Sequence, residues 1–367
     1  TIRNKVVDID EYIHDMNEDD AECIKRRVEW LRKIKVAEYA VGLFLNRISK
    51  RKGLSPFQPT YIPQGKEIEN AIAFSIGDSN HKGNILCVGP AGSGKNRFVE
   101  TIANLFSVPL IDQTCSAGID EDSLFGYVSL KADQNRPEAE VVNTAFNKLI
   151  SSMAFIRADK SELASGTPEE KAEKIEGLIN KLDDGADLSV LCDAIRSNTA
   201  EVQFEPSIIT KMLEKPCVID LDEVNTLRPQ IASALHSVLD NRRKLFLNDY
   251  RNVHLHPDTI VMATMNEGNE YMGTQEMNLA FEDRFHVIEF NAPRSIEKIL
   301  IQEVPALPRK AAIQLDKIYK KMLSGRENLD DRAFSIRSFI YAAVNVAVGN
   351  SVRGAVDAVI LPKIRDL

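Results

Sequence analysis

Short apolar runs alternate with longer amphipathic segments over most of the chain. In the longer segments apolar residues recur every three or four positions, which is helical spacing. Strands separated by helices are typical of a parallel sheet with helices on both faces, so the pattern predicts an α/β fold. The predicted strands are Ile85–Val88, Val108–Ile111, Cys217–Leu221, Thr259–Ala263 and Val287–Phe290.

The segment before the first strand is predicted to be helical. Apolar residues fall at helical spacing from Cys23 to Ile48, which indicates one helix with a single buried stripe. We interpret its basic residues as a solvated face, and the alternative is a nucleic-acid contact. These residues are Lys25, Arg26, Arg27, Arg32, Lys33 and Lys35. The stretch from Gly53 to Pro63 is rich in proline and glycine and is predicted to be a linker.

Two further regions depart from the alternating pattern. Residues 132–198 are charged and favour helix, and Thr-Pro-Glu-Glu at 167–170 is a plausible helix N-terminus. We interpret them as a helical insertion that contacts a partner or a neighbouring subunit. Beyond Pro293 only helical patterns remain. The predicted domains are therefore an N-terminal helical extension (1–58), an α/β domain (59–292) and a small all-α domain (293–367).

Composition narrows the class of protein. A net charge of −8 and a pI near 5.5 argue against a chain dominated by binding to a phosphate backbone. No apolar run approaches the ~20 residues needed to cross a bilayer, so no membrane contact is expected. The cysteines form no CxxC pair, and two of them, Cys87 and Cys217, lie in apolar runs. We expect reduced core thiols and a cytoplasmic location.

A glycine-rich loop follows the first predicted strand and precedes a helical pattern. That context is the one a phosphate-binding loop requires, because backbone N–H groups and a helix N-terminus converge on the phosphates. Lys95 is placed to reach the β- and γ-phosphates. A glycine-rich turn without a ligand is the alternative. The predicted nucleotide-binding residues are Gly89, Pro90, Ala91, Gly92, Ser93, Gly94, Lys95, Asn96 and Arg97.

A pair of carboxylates ends the third predicted strand. Asp222 at a strand's end can bind hydrated magnesium, and Glu223 can polarise an attacking water. Asp220 lies on the same strand face as Asp222, either behind the metal or against a polar helix contact. His254 and His256 alternate on a predicted hairpin, and without a third ligand we interpret them as ordinary hairpin residues.

These motifs resemble those of the AAA+ ATPases. The resemblance extends to two longer segments, DEVNTLRPQIASALHSVLDNRRKLFL and HPDTIVMATMNEGNEYMGTQEMNLAFEDRF. The closer likeness is to the MoxR-like, dynein-related branch that includes the CbbQ/NorQ type and the restriction motor McrB. The resemblance covers Gln64 to Leu367 apart from the insertion. It implies a P-loop AAA+ fold with a five-stranded parallel sheet and a helical lid domain. It also implies roles for Asn266 as the sensor-1 residue, for Arg284 at the subunit boundary, and for Arg337, in FSIRSF, as the sensor-2 arginine.

Position 96 departs from the family pattern, which has serine or threonine there. A hydroxyl coordinates magnesium at short range, whereas the longer asparagine side chain must shift the ion or bind it through water. We therefore expect ATP binding to persist, with Asn96 and Asp222 as the predicted metal ligands, while the rate of turnover is in doubt.

Three functional hypotheses follow from the resemblance. The first is an ATP-hydrolysing motor or remodelling chaperone that acts on a partner protein as a homo-oligomeric ring, expected to be a hexamer. Family members often serve a von Willebrand A-domain protein or a nuclease subunit. The second is a nucleotide-binding assembly module with impaired hydrolysis. The third is the motor subunit of a nucleic-acid-processing complex, favoured only by the basic N-terminal helix. The sequence does not distinguish ATP from GTP.

Overall fold

The computed structural model describes residues 6–76, 83–132, 139–156, 163–179, 189–247, 252–266, 278–324 and 335–365. The chain forms two compact units. The first comprises Thr1–Ser116, Cys217–Leu227 and Ile260–Leu367, and the second comprises Ala117–Pro216 and Arg228–Thr259. Phe334 and the stretch 267–277 of the family-like segments lie outside the described residues. The predicted domain boundaries stay predictions.

A five-stranded, all-parallel sheet forms the centre of the first unit, as the alternating pattern predicted. Its strands are β1 (Asn84–Gly89), β2 (Leu110–Thr114), β5 (Val218–Asp222), β8 (Ile260–Asn266) and β9 (Phe285–Glu289). Their order across the sheet is β2-β5-β8-β1-β9. Gly89 is in register with Asn266, and Thr114 is in register with Asp222. The carboxyl ends of β1, β5 and β8 therefore meet at one edge of the sheet, where ligands of such folds bind.

Helices complete the first unit before, between and after the strands. Before and within the sheet they are α1 (Asp10–Ile13), α2 (Glu18–Lys33), α3 (Glu38–Ile48), α4 (Glu67–Ile76), α5 (Lys95–Phe106), the 3₁₀ turn Val224–Thr226 and α13 (Leu279–Glu282). After the sheet they are α14 (Glu297–Glu303), α15 (Arg309–Ser324), α16 (Ile336–Ala347), α17 (Val352–Val359) and α18 (Pro362–Arg365). Helices α2 to α5 share one hydrophobic core with the sheet, whereas α14 to α17 bury a separate core of their own.

The predicted start of the second strand was two residues early. Ser107 ends α5 in a left-handed conformation (φ 52°), and the amide of Val108 donates to Ala103 O. Pro109 follows and has no amide to donate to a neighbouring strand. Residues 107–109 therefore belong to the helix end, and β2 begins at Leu110.

The prediction of one helix from Cys23 to Ile48 was wrong. The chain turns between α2 and α3, where Lys35 has a left-handed φ of 63° and the amide of Val36 donates to Leu31 O. This bond closes the C-terminus of α2 in a Schellman-type turn. Apolar residues keep their helical spacing across the turn because both helices pack on the same core.

The assignment of Arg27 to a solvated basic face was also wrong. Its side chain is fully buried and donates to Leu105 O (3.0 Å), Asn104 O (3.1 Å), Ser55 O (2.8 Å) and Cys23 O (3.0 Å). Among the other basic residues of α2, Arg26 pairs with Glu22 and Arg32 pairs with Glu38. None of these contacts supports the nucleic-acid alternative.

We predict that Arg27→Met lowers the free energy of unfolding by at least about 3 kcal/mol, because four carbonyl oxygens lose their hydrogen bonds to a buried guanidinium. Chemical denaturation measures this change. The control is Arg26→Met, whose side chain is exposed and pairs with Glu22, and which should change stability by less than about 0.5 kcal/mol. Equal losses in the two variants would contradict the structural role assigned to Arg27.

The second unit contains the predicted insertion. Its helices are α6 (Glu121–Phe125), α7 (Ala139–Ile156), α8 (Pro168–Ile179), α9 (Ser189–Arg196), α10 (Ile208–Leu213), α11 (Pro229–Ala234) and α12 (His236–Leu239). Its strands form two antiparallel pairs, β3 (Gly126–Ala132) with β4 (Ala200–Pro206), and β6 (Lys244–Phe246) with β7 (Asn252–His254). The predicted N-terminus of α8 is confirmed, since Thr167 Oγ1 accepts from the Glu170 amide and Glu170 Oε2 accepts from the Thr167 amide.

The β3–β4 pair was missed by the sequence analysis. Val128 and Leu130 of β3 and Val202 of β4 pack on a core with α7, α8 and α9, while Lys131 and Glu201 alternate with them and are exposed. That alternation is the strand signal. It was obscured because the strands flank a long charged helical stretch. The described part of the insertion thus has a hydrophobic core of its own.

Candidate functional site

The glycine-rich loop joins β1 to α5 at the carboxyl edge of the sheet. Gly92 (φ 77°) and Gly94 (φ 98°) have left-handed conformations that other residues rarely adopt. A Cβ at Gly92 would lie 3.2 Å from Ser335 Oγ, and one at Gly94 would lie 3.2 Å from the ring of Tyr61. The loop therefore presents bare backbone, and the hydroxyl of Ser93 is buried without a hydrogen-bond partner among the described residues. This cradle fits a phosphate chain.

Lys95 is the buried cation of the loop. Its Nζ donates to Gly89 O (2.8 Å), Pro90 O (3.0 Å) and Asn266 Oδ1 (2.9 Å). Burial lowers the pKa of Lys95 to about 8, and the positive charge of Arg337 contributes to this shift. Neutral acceptors thus surround an ammonium group that an anionic ligand would stabilise better.

Asn266 connects the loop to the predicted catalytic carboxylate. Its Oδ1 accepts from Lys95 Nζ, and its Nδ2 donates to Glu223 Oε1 at 3.2 Å. Strand register brings these groups together, because β8 lies between β1 and β5. Lys95, Asn266 and Glu223 therefore form one continuous hydrogen-bonded chain at the edge of the sheet.

Glu223 has an unusual backbone conformation. Its φ of 57° and ψ of 44° are left-handed, which costs of order 1 kcal/mol or more for a residue other than glycine. Its amide donates to Thr264 Oγ1 at 3.2 Å, and this hydroxyl in turn donates to Asp222 Oδ1. The turn directs the carboxylate of Glu223 toward Asn266, away from the strand direction of Asp222.

Asp220 is buried behind this edge. Only 2% of its surface is exposed, and its Oδ1 has no hydrogen-bond partner among the described residues. It lies opposite Asp112 in the β2–β5 register. Burial, with the nearby charges of Asp222 and Asp112, raises the pKa of Asp220 to about 8. Asp220 is therefore largely protonated at neutral pH in this environment.

The arrangement at position 96 does not fit a magnesium ion as it stands. Asn96 presents its amide nitrogen to Asp222 Oδ2 at 3.2 Å, although magnesium needs oxygen ligands. The other oxygen of Asp222 accepts from Thr264. The assignment of Asn96 and Asp222 as metal ligands stays a prediction. Among the described residues no group of three or more His, Cys, Asp or Glu side chains could hold a metal ion.

A cavity of about 530 Å³ joins these groups to the helices that follow the sheet. It is lined by the loop from Ala91 to Arg97, with Asp222, Glu223 and Asn266. Arg337 at the start of α16 also lines it. Its apolar lining consists of Tyr61, Ile62, Pro293, Ile299, Ile336 and Ile340. A cavity of this size, with both charged and apolar lining, can hold a nucleotide.

The predicted linker forms part of this cavity wall. The amides of Thr60 and Tyr61 donate to Thr101 Oγ1 at 3.1 and 2.9 Å, and Thr60 Oγ1 donates to Arg97 O at 3.1 Å. From α14, Gln302 Nε2 donates to Thr60 O at 2.8 Å. The linker is therefore bound along α5 and not a free connection.

The two predicted arginines of the second half lie in different places. Arg337 lines the cavity of its own chain, whereas Arg284 does not. Arg284 follows α13, its guanidinium donates to Ala280 O, and its Nε is buried without a partner among the described residues. Arg97 turns toward Glu100 (3.0 Å) and Glu303 (3.2 Å) at the rim of the cavity.

Sequence reasoning missed three contributors to the site. Thr264 was hidden in an apolar strand, although it alternates with Asn266 on the same face. Tyr61 was counted only as part of a linker, and Gln302 lies in a helix that carries no motif. Of the two histidines predicted to alternate on a hairpin, His254 ends β7, whereas His256 lies beyond the strand, where its Nδ1 accepts from the Asp258 amide.

The cysteines agree with the expectation from composition. All five cysteines are free thiols, and Cys87 and Cys217 are buried in the core as predicted. Within the described ranges, no helix is long and apolar enough to cross a membrane. The cytoplasmic location stays a prediction.

Comparison with known proteins identifies relatives of unknown function. An uncharacterized protein of Staphylococcus epidermidis is 25% identical over 289 residues, which cover 77% of this chain and 85% of that protein. An uncharacterized protein of Staphylococcus aureus strain USA300 is 24% identical over 291 residues, with the same coverage of both chains. Residues 84–285, from β1 to the start of β9, match the AAA domain of the dynein-related subfamily. The chain therefore belongs to the dynein-related subfamily of AAA-domain proteins.

Proposed function

We propose that this chain binds and hydrolyses ATP as a homo-oligomeric ring of the MoxR-like branch, with six subunits, and that the ring remodels a partner protein. The observation that carries the proposal is the hydrogen-bonded chain Lys95–Asn266–Glu223 at the mouth of the glycine-rich loop. In this chain the ammonium of Lys95, our proposed phosphate-binding cation, and the carboxylate of Glu223, our proposed general base, lie on either side of one amide. Such an arrangement suits phosphoryl transfer, which depends on positioning and charge neutralisation.

The residues of the chain suggest how the reaction proceeds. A γ-phosphate between the loop and Asn266 competes with Gly89 O, Pro90 O and Asn266 for Lys95, because an anion binds the ammonium more strongly than neutral oxygens do. Asn266 is then free to orient a water, and Glu223 is free to polarise it. Arg337 adds charge from the lid of the same chain.

The surroundings of Arg284 support assembly into a ring. Leu279 and Val287, on either side of it, are 80% and 44% exposed, and they line a second cavity of about 550 Å³. On α16, Tyr341 and Val344 continue the helical face that begins with Arg337, and both are exposed, as is Val348 just after the helix. If Arg284 enters a neighbour's nucleotide site, these two apolar surfaces face each other across the subunit boundary. Repeated head-to-tail, this contact closes a ring.

A second function is favoured by one observation. The contact between Asn96 and Asp222 occupies the place where the family has a hydroxyl ligand for magnesium. A chain that binds ATP tightly but hydrolyses it slowly would use the nucleotide mainly to stabilise the assembly. Restoring threonine at position 96 should then raise turnover more than affinity.

We predict that specific phosphate release from ATP rises with protein concentration, because each active site needs a neighbour. Leu279→Asp should move this rise to at least about tenfold higher concentration, since a charge replaces an exposed apolar contact, while ATP binding is unchanged. The control is Val6→Asp, which changes an exposed valine remote from Arg284 in sequence. Parallel assays with GTP determine the base preference. Turnover that is independent of concentration would count against the ring, and no turnover at any concentration would favour the assembly module.

A further inference from the structure

We propose that Asn96 links Asp222 directly to the bound triphosphate through its amide, so that nucleotide binding by this chain depends far less on magnesium than binding by a loop with a hydroxyl at this position. This inference rests on the proposed nucleotide-binding function and concerns how the same site neutralises charge.

The geometry places Asn96 between the two anionic groups. It is the second residue of α5 and its side chain is exposed to the cavity, directly after the buried Lys95. Its Nδ2 donates to Asp222 Oδ2 at 3.2 Å, and Thr264 Oγ1 donates to Asp222 Oδ1. Both oxygens of Asp222 are therefore satisfied by protein donors.

The amide can do what a hydroxyl cannot. A carboxamide nitrogen carries two hydrogens, whereas a serine or threonine hydroxyl carries one. With one N–H on Asp222, Asn96 keeps a second N–H, which has no partner among the described residues. That N–H can donate to a phosphate oxygen. The amide of Asn96 then bridges the carboxylate of Asp222 and the phosphate, a position that a metal ion would otherwise occupy. A threonine hydroxyl can donate its one hydrogen to either the carboxylate or the phosphate, or it can bind a metal ion through its oxygen.

The consequence is a difference in metal dependence. Without magnesium, Asp222 repels a triphosphate in a loop with threonine, but in this chain the amide shields part of that repulsion. With magnesium, threonine provides an oxygen ligand and regains affinity. The identity of residue 96 thus determines how much affinity is lost on removing the metal.

The test is isothermal titration calorimetry with ATP, in magnesium chloride and in EDTA, on the full chain. The expected result is that the wild-type affinity changes less than about threefold on removing magnesium, whereas Asn96→Thr loses about tenfold, as expected for one hydrogen bond to a charged group. The affinity of Asn96→Ala for ATP should also fall about tenfold in EDTA, because alanine has no side-chain hydrogen-bond donor. The matched control is Asn104→Thr, on the same helix outside the cavity, where the side chain donates to Glu100 O; it should behave as wild type.

Each outcome bears on a different claim. If wild type and Asn96→Thr lose equal affinity in EDTA, the inference is overturned while the proposed ATP binding stands. If wild type binds no ATP in either buffer, the proposed function fails and the inference fails with it. A variant that fails to fold is recognised from its thermal unfolding. If one of Asn96→Ala and Asn96→Thr does not fold, the other is compared with wild type.

Discussion

Replacing Lys95 with alanine is expected to weaken ATP binding by about two orders of magnitude or more, because a triphosphate in the loop loses its buried cation. Lys95 donates three hydrogen bonds at the carboxyl edge of the sheet, and one of them reaches Asn266. Calorimetric titration of ATP in the presence of magnesium measures the loss. Lys66→Ala, which changes an exposed lysine of the same unit, is the control. Unchanged affinity in Lys95→Ala would refute the phosphate-loop assignment.

Lys95 also provides a second measurement through pH. Because burial lowers its pKa to about 8, the ammonium form predominates below that pH in the free protein. Above pH 8 the binding of ATP must take up a proton, since the phosphates favour the charged form. The affinity is therefore expected to fall by up to about tenfold per pH unit above 8. Lys95→Ala should lack this dependence.

The second large effect is expected at Arg284. Arg284→Ala should bind ATP normally but lose about a thousandfold or more in turnover, because an arginine at the transferring phosphate stabilises the charge of the transition state. Glu223→Gln should also be inactive while retaining ATP. The control is Arg353→Ala, which changes an arginine of α17 with an almost fully exposed side chain. This variant should hydrolyse ATP as the wild type does.

Mixing the two inactive variants tests the shared site. In a ring formed from equal amounts, about a quarter of the junctions pair an intact Glu223 with an intact Arg284 from the neighbour. Phosphate release should therefore recover in part after mixing. A lack of recovery in assemblies shown to contain both variants would mean that Arg284 acts within its own chain or not at all.

The three central strands β1, β5 and β8 could be predicted from sequence because they are buried on both faces and read as continuous apolar runs. The edge strands β2 and β9 are only partly buried, so their bounds are less clear in the sequence. Lys95, Asp222 and Glu223 were found because phosphate loops and acidic strand ends are local patterns. The burial of Arg27 was not predictable in the same way, because it depends on packing against α5 and the linker. The break at Lys35 was hidden because the apolar residues keep their helical spacing across it. The roles of Thr264 and Gln302 likewise arise only when β8 and α14 are brought to the cavity.

The linker from Gly53 to Pro63 has a mechanical consequence. Ser55 is bonded to Ser107 at one end of α5, and Thr60 is bonded to Arg97 O at the other. Arg27 fixes the same path from α2 through Ser55 O and Leu105 O. A displacement of α5 must therefore carry the linker and α2 with it, unless these hydrogen bonds break.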